Sequence, residues 1–273
     1  MLKNPEAGRQ KFWSMQGRTS ALAVIKFVLL LGAIVWLLDS GTERLGYNWQ
    51  WYRIPRYFFA FEEGRFVAGP LLRGLWVTLY ISAMSLVLCF IFGLLTALFR
   101  LSHSFVARLV ARAYLELVRN TPLLVQLFFI YFVLGPVLNL ERLTSAVLAL
   151  SLFEGAYASE IFRAGIVAIH KGQWEAAYSL GLSTYQTYRR IVLPQAVRYI
   201  LPPLTSQGIS LIKDSALVST IAVYDLTMEG QVIISETFLT FEIWFTVAAI
   251  YLAITVSLSV LVGFLEKHLK IAT

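Results

Sequence analysis

The chain has 273 residues, of which 58% are hydrophobic and 14% are charged, and its mean hydropathy is +0.69. Soluble domains carry roughly 25% charged residues, so this composition excludes an ordinary soluble domain. The net charge of +7 comes from basic residues lying mainly between apolar runs, a distribution typical of membrane topology signals and not of a nucleic-acid-binding face.

Two long runs contain no Asp, Glu, Lys or Arg, from Gly74 to Phe99 and from Ile243 to Leu265. Each exceeds the ~20 residues that a helix needs to cross the hydrocarbon core of a bilayer. We therefore predict an all-α polytopic membrane protein. Six spans are predicted, over residues 21–38, 71–99, 120–139, 143–165, 196–223 and 241–265.

The first of these segments also resembles a secretory signal peptide, because a basic stretch precedes a short apolar run. The run from Phe27 to Leu38 has only 12 residues, and Lys26 lies just before it. No pair of small residues with cleavage-site spacing follows at Leu37–Ser40. We favour an uncleaved signal-anchor helix over a cleaved signal.

Lys and Arg residues are unequally divided between the two sides of the predicted membrane. With a cytoplasmic N-terminus, 16 of the 23 basic residues lie in the inner segments and six in the outer ones. Inner loops carry this excess in membrane proteins. The sequence therefore predicts that both termini are cytoplasmic.

The predicted outer segment 39–69 is rich in aromatic residues, including Trp49, Trp51 and Tyr57. Such residues anchor chains at the membrane–water interface, and we prefer this reading to a ligand platform. Cys89 has no second cysteine with which to pair, and His103, His170 and His268 lack metal-ligand spacing. We predict no disulfide and no metal site.

The predicted inner loop 171–194 is the most informative segment. An apolar stripe at helical spacing indicates a first short helix, formed by Trp174, Ala177, Tyr178 and Gly181. Gly181 is suited to end that helix. Ser183 and Gln186 form a capping-box pattern that begins a second helix, and Pro194 is expected to help stop it.

The same loop carries a motif, Glu175-Ala176-Ala177, three residues, Gly181, nine residues, then Ile191-x-Leu193-Pro194. Three further motifs accompany it: Arg119-Asn120-Thr121-Pro122, the stretch Gly155–Gly165, and Lys213-Asp214-Ser215. On these motifs, over roughly residues 70–266, the chain resembles permease subunits of binding-protein-dependent ABC importers, in particular the histidine, glutamine, glutamate and arginine permease family.

The resemblance implies a five-helix type I ABC-importer permease core over 70–273, preceded over 1–69 by a tail, one extra transmembrane helix and the outer segment. It implies a second permease subunit, two ATP-binding subunits and a periplasmic solute-binding protein in a bacterial inner membrane. No cofactor is expected in this chain, because ATP and Mg would bind the partner ATPase. Residues implied to couple to that ATPase are Glu175, Ala176, Ala177, Gly181, Ile191, Leu193 and Pro194.

Charged side chains inside predicted spans need a reason, since each costs about 2.5–3.5 kcal/mol at mid-membrane. Glu160 and Arg163 are i, i+3 neighbours suited to pair. Glu154 lies nearer mid-membrane and is our best candidate for contact with a substrate α-ammonium group. All substrate-pathway candidates are Glu154, Ser159, Glu160, Arg163, Thr205, Gln207, Ser210, Lys213 and Asp214.

The fifth predicted span contains Pro202, Pro203 and Gly208, which we expect to interrupt its helix. Two readings remain open for Lys213 and Asp214: neutralisation, either of each other or with a neighbouring span, or substrate contact. An importer of polar L-amino acids, glutamate- or glutamine-like, is the predicted function, and the chain is expected to be a transport subunit and not an enzyme. An ion-coupled secondary amino-acid transporter that works without an ATPase is the alternative.

Overall fold

The computed structural model of the chain describes residues 24–34, 36–37, 40–41, 46–62 and 65–269. The chain divides into two compact units, Met1–Trp51 and Tyr52–Thr273. The predicted boundary at residue 69 stays a prediction. The predicted tail, 1–20, lies outside the described residues, whereas most of the predicted first span, 21–38, lies within them.

In the first unit the described helix is α1, Val24–Ile34. Its side chains are exposed, and residues 36–37 and 40–41 beyond it are helical as well. Farther along, the Trp49 and Trp51 rings are stacked at 5.7 Å between centroids, and Tyr47 meets Trp49 edge-on at 5.6 Å. The aromatic residues of this stretch therefore contact one another.

The second unit opens with a short helix and a hairpin. Helix α2, Pro55–Phe58, leads into strands β1, Phe59–Glu62, and β2, Arg65–Ala68, which pair antiparallel with Phe59 opposite Ala68. Gly69 follows, and a Cβ there would lie 2.4 Å from the Tyr57 carbonyl oxygen. A residue without a side chain is thus required where the hairpin turns into the first long helix.

Within the described residues, three helices are long and apolar enough to cross a membrane: α3, Pro70–Leu101, α6, Arg142–Val167, and α10, Thr240–Leu269. In the most apolar window of α6, 67% of the residues are buried, against 6% in α10. Helix α6 is therefore central to this unit, whereas α10 exposes most of its surface. These helices agree with the predicted spans at 71–99, 143–165 and 241–265.

Two further helix pairs are bent. Helix α4, Phe105–Arg119, meets α5, Leu123–Leu138, at 107°. The break falls at Thr121-Pro122, because a residue before proline is disfavoured in helical geometry. Helix α7, Lys171–Ser179, lies in the predicted loop 171–194. Helix α8, Thr184–Ile221, begins in that loop and continues as the predicted fifth span, and it meets α9, Leu226–Thr237, at 48°.

Helix α8 corrects two expectations, because it continues through Pro194, Pro202, Pro203 and Gly208. A wide π turn at Tyr188–Val192 immediately precedes Pro194, and such turns relieve the clash between a proline ring and the preceding turn. Pro194 therefore does not stop the second loop helix, which is instead the first part of the span helix.

Among the described residues, the buried apolar side chains form three clusters. One joins α5, α6 and α8 around Leu127, Leu150 and Val218. A second joins α3, α6 and α8 around Phe162 and Val192. The third packs α9 and α10 against the start of α3 and is built on Leu71, Leu226, Leu239 and Ile243.

Candidate functional site

Helix α7 has well-defined ends. At its start the His170 Nδ1 atom accepts a hydrogen bond from the Gly172 amide at 3.1 Å. At its end Gly181 has φ +74°, and the Leu182 amide donates to the Ala177 carbonyl at 3.1 Å. This left-handed C-terminal turn favours glycine, so the prediction that Gly181 ends the first helix is confirmed.

Helix α8 begins with the predicted capping box. The Gln186 amide donates to Ser183 Oγ at 3.3 Å, and the Ser183 amide donates to Gln186 Oε1 at 2.9 Å. Two amides at the helix start that would otherwise lack partners are thereby satisfied. The segment 171–194 is therefore a helical hairpin with a capped corner. Because the resemblance implies that it couples to an ATPase, it is hereafter called the coupling hairpin.

Most residues implied to couple to an ATPase lie on the outside of the coupling hairpin. Ile191 is half-buried and Ala177 is only 2% exposed. Ala177 faces inward, as does Trp174, whose ring contacts Tyr188 at 5.1 Å between centroids. The exposed members are Glu175, Ala176, Gly181, Leu193 and Pro194.

The predicted apolar stripe is therefore split between two faces. Trp174 and Ala177 pack against the body of the unit, whereas Tyr178 is 48% exposed. Sequence reasoning missed the two most exposed apolar side chains of the hairpin, Leu180 at 80% and Tyr185 at 70%. Both lie at the corner beside Gly181, where the turn geometry points them away from the body.

Glu160 is the centre of an ion-pair cluster. Its carboxylate accepts from Arg119 Nη1 and Arg163 Nε, each at 3.2 Å, and from Arg100. The expected pairing with Arg163 is confirmed. The cluster joins α3, α4 and α6, and Arg119 also lies over the Tyr157 ring, 5.8 Å from its centroid.

Glu154 is fully buried in α6 and accepts a hydrogen bond from Gln207 Nε2 of α8. The Asp214 side chain is the neighbouring acid. Glu154 Oε1 has no donor among the described residues. A buried carboxyl oxygen without a donor is suited to accept a hydrogen bond from a cationic ligand group.

The remaining pathway candidates are satisfied locally or point elsewhere. Ser159 Oγ donates to the Ala156 carbonyl at 2.7 Å, and Thr205 Oγ1 donates to the Pro202 carbonyl at 2.8 Å. Ser210 is half-buried. Of the predicted set, the structure brings together Glu154, Gln207 and Asp214, and places Glu160 and Arg163 in the separate arginine cluster.

Lys213 is exposed and forms no ion pair with any residue that the structure describes. Lys213 and Asp214 therefore do not neutralise each other, and neither pairs with an opposite charge on a neighbouring span among the described residues; substrate contact stays a prediction. Adjacent residues on a helix project in different directions, and Asp214 is directed to Glu154 instead. Across the described ranges, no group of three His, Cys, Asp or Glu side chains is arranged to hold a metal ion.

A groove of about 570 Å³ lies between α3, α8 and α10. Thr205 and Ser82 contribute to a lining that is otherwise almost entirely apolar, including Leu86, Leu204 and Leu258. The groove runs beside the Glu154 site without including it.

A helical membrane unit with an exposed, capped hairpin after its central helix agrees with the class that the sequence predicts, the membrane component of a transporter. Residues 57–271 match the family described as "binding-protein-dependent transport system inner membrane component", and the chain belongs to this family.

Two individual relatives show which transport systems have permeases similar to this chain. The chain is 42% identical over 204 residues to the glutamine transport system permease protein GlnP of Escherichia coli (strain K12), covering 74% of this chain and 93% of the relative. It is 46% identical over 160 residues to the L-cystine transport system permease protein TcyB of Bacillus subtilis (strain 168), covering 58% and 68%. The chain is thus a permease subunit of an amino acid ABC importer.

Solved structures agree with this fold. An amino acid ABC transporter with histidines superposes with a TM-score of 0.69 at 38% identity, covering 73% of this chain and 94% of that one. The MetNI methionine ABC transporter, in an inward facing conformation, shares the fold at 18% identity with a TM-score of 0.63, covering 74% and 96%. The predicted family and the type I permease fold are confirmed.

Proposed function

We propose that the chain moves polar L-amino acids, glutamate- or glutamine-like, into the cytoplasm, driven by ATP hydrolysis on a partner subunit. The observation that carries the proposal is the coupling hairpin. Its corner is capped at both ends and exposes Tyr178, Leu180 and Tyr185. Apolar side chains exposed on a rigid, water-facing corner favour burial by another protein.

The assembly in this proposal contains a second permease subunit, two ATP-binding subunits and a periplasmic solute-binding protein. ATP and Mg belong to the ATP-binding subunits. The complex resides in a bacterial inner membrane, with both termini of this chain cytoplasmic. Movement of an ATP-binding subunit against the corner would pass to α6 and α8, which flank the hairpin, as a rigid-body displacement.

Glu154 is the proposed contact for the substrate α-ammonium group. Gln207 orients one carboxylate oxygen and leaves the other without a donor. Asp214 adds a second acid beside it. An ammonium group that enters this position gains a charge-assisted hydrogen bond, the stronger kind. Relatives described as glutamine and cystine permeases support an amino-acid cargo.

The test compares Gly181→Asp with Gly181→Asn in the complex reconstituted with its ATP-binding and solute-binding proteins. The two side chains have nearly the same shape and both tolerate positive φ, so backbone strain is matched and only the charge differs. We expect amino-acid-stimulated ATP hydrolysis to fall at least tenfold further in Gly181→Asp than in Gly181→Asn. Equal activities would remove the hairpin from the coupling role.

The alternative, an ion-coupled carrier acting alone, is not favoured by the relatives, which are ABC permeases. The carrier hypothesis predicts that the purified chain transports amino acid without an ATP-binding subunit, whereas the importer hypothesis predicts that it does not. Uptake into vesicles that contain an ion gradient, with no ATP-binding subunit, would support the carrier and overturn the importer.

A further inference from the structure

Helix α4, Phe105–Arg119, has no role in the transport proposal. It meets the span helix α5 at 107°, so it runs nearly across the direction of α5. One of its faces packs on α3 and α6. Ala111 and Leu115 are 2% and 6% exposed on that face, and the Tyr114 hydroxyl donates to the Leu152 carbonyl. The helix is therefore fixed against the body of the unit.

A second face of α4 is apolar and uncovered. Four large side chains lie on it, each more than half exposed: Val106 at 66%, Leu109 at 54%, Val110 at 53% and Leu117 at 70%. Val110 also lines a groove of about 200 Å³ between α4, α3 and α6, whose walls include Phe92, Leu95 and Phe99.

A third face of α4 is charged. Arg108 and Arg112 are exposed one helical turn apart, and neither forms an ion pair within the described part of the chain. Glu116 follows one turn later and accepts from the Asn120 side-chain amide at 2.8 Å. Arg119 is paired with Glu160. Two cations without partners thus border the uncovered apolar face.

We propose that α4 lies in the lipid headgroup region and binds anionic phospholipid, with Arg108 and Arg112 holding phosphate and the apolar face and groove holding acyl chain. An in-plane helix with an apolar face and a basic edge has the form of an interfacial anchor. Basic residues near a leaflet surface attract anionic lipid. The headgroup region in question is that of the cytoplasmic leaflet, which rests on the membrane orientation in the proposed function.

A second copy of the chain is the other possible occupant of this face. The charge favours lipid, because the centres of protein–protein interfaces are depleted in charged residues and two copies would bring like charges together. Lipid headgroups supply the negative charge that Arg108 and Arg112 lack within the chain.

The test measures the preference of the reconstituted permease complex for spin-labelled phosphatidylglycerol over spin-labelled phosphatidylcholine, by electron paramagnetic resonance. We expect the wild type to prefer phosphatidylglycerol and the preference to fall with added salt. In Arg108→Gln/Arg112→Gln the preference should fall by about fivefold for each arginine removed. Thermal unfolding of the variant checks that it remains folded.

The matched control is Arg198→Gln, which removes one exposed charge from α8 outside the coupling hairpin and should keep the preference, whereas Arg108→Gln alone should lose about fivefold. An unchanged preference in the α4 variant, or an equal loss in the control, would overturn the proposal. Cross-linking of Leu117→Cys between two copies would assign the face to a protein partner. None of these measurements needs ATP or amino acid, so they separate this proposal from the transport function.

Discussion

Glu154 combines complete burial with a hydrogen-bonding atom that has no donor among the described residues. Replacing Glu154 by Gln keeps its size and removes its charge. Because charge-assisted hydrogen bonds contribute about 1.5–3 kcal/mol, we expect uptake at subsaturating amino acid to fall by at least tenfold. Ser151→Ala, one turn away on the same helix, is the control, and transport assays with radiolabelled amino acid give the comparison. Undiminished uptake in Glu154→Gln would exclude ammonium recognition there.

Glu160 stabilises the fold, because its carboxylate forms ion pairs with arginines from three helices. Its side chain is 28% exposed and those of the arginines are 24–44% exposed, so solvent screens each pair. We expect Glu160→Gln to destabilise the permease by about 1–2 kcal/mol, because three cations lose one shared anion. Differential scanning fluorimetry against Glu116→Gln measures this. A larger loss in Glu116→Gln would contradict it.

Gly93 lies where α3 and α6 pack closely, and its substitution tests how close the two helices must be. A Cβ there would lie 2.8 Å from the Ala158 Cβ and 3.2 Å from the Gly155 carbonyl oxygen. Overpacking of this kind costs about 1–3 kcal/mol, so Gly93→Ala should lower the unfolding temperature. At Gly208 the nearest atom is Leu86 Cδ1 at 3.6 Å, and Gly208→Ala should be neutral or stabilising. Equal effects of both substitutions would show that α3 and α6 are not held at this distance.

The elements of the coupling hairpin were largely predictable. Gly181 and the Ser183–Gln186 box are local signals, because each concerns hydrogen bonds between residues a few positions apart. The prediction that Pro194 stops the second helix was wrong, because it too considered only neighbouring residues. A proline stops a regular helix, but the π turn before it depends on how the whole of α8 packs, which neighbouring residues do not encode.

The topology of the whole molecule can be tested with single cysteines, because the native Cys89 is buried. Glu141 precedes α6 and Ser179 lies beyond its other end, and both are exposed. With the basic residues inside, a membrane-impermeant maleimide should label Glu141→Cys in intact cells, and Ser179→Cys only after the membrane is opened. The reverse pattern would invert the orientation.

For the molecule as a whole, the sequence predicted the long spans and the family, but not which polar side chains contact one another. Glu154 was identified as a candidate from its depth alone, and Gln207 lies 53 positions away in another helix. Arg100 was missed as a partner of Glu160 for a similar reason, since they are 60 positions apart. Such pairings depend on helix rotation and crossing, which hydropathy does not report.

The sequence by itself determined the membrane class, the three long helices and the capped corner, since apolar length and local hydrogen bonding are properties of contiguous residues. Only the tertiary structure decided that α4 turns across α5, that Ala177 faces inward while Leu180 faces out, and that Asp214 lies beside Glu154 instead of pairing with Lys213. These features follow from which faces of the helices pack together, and that choice is made by contacts between residues far apart in the chain.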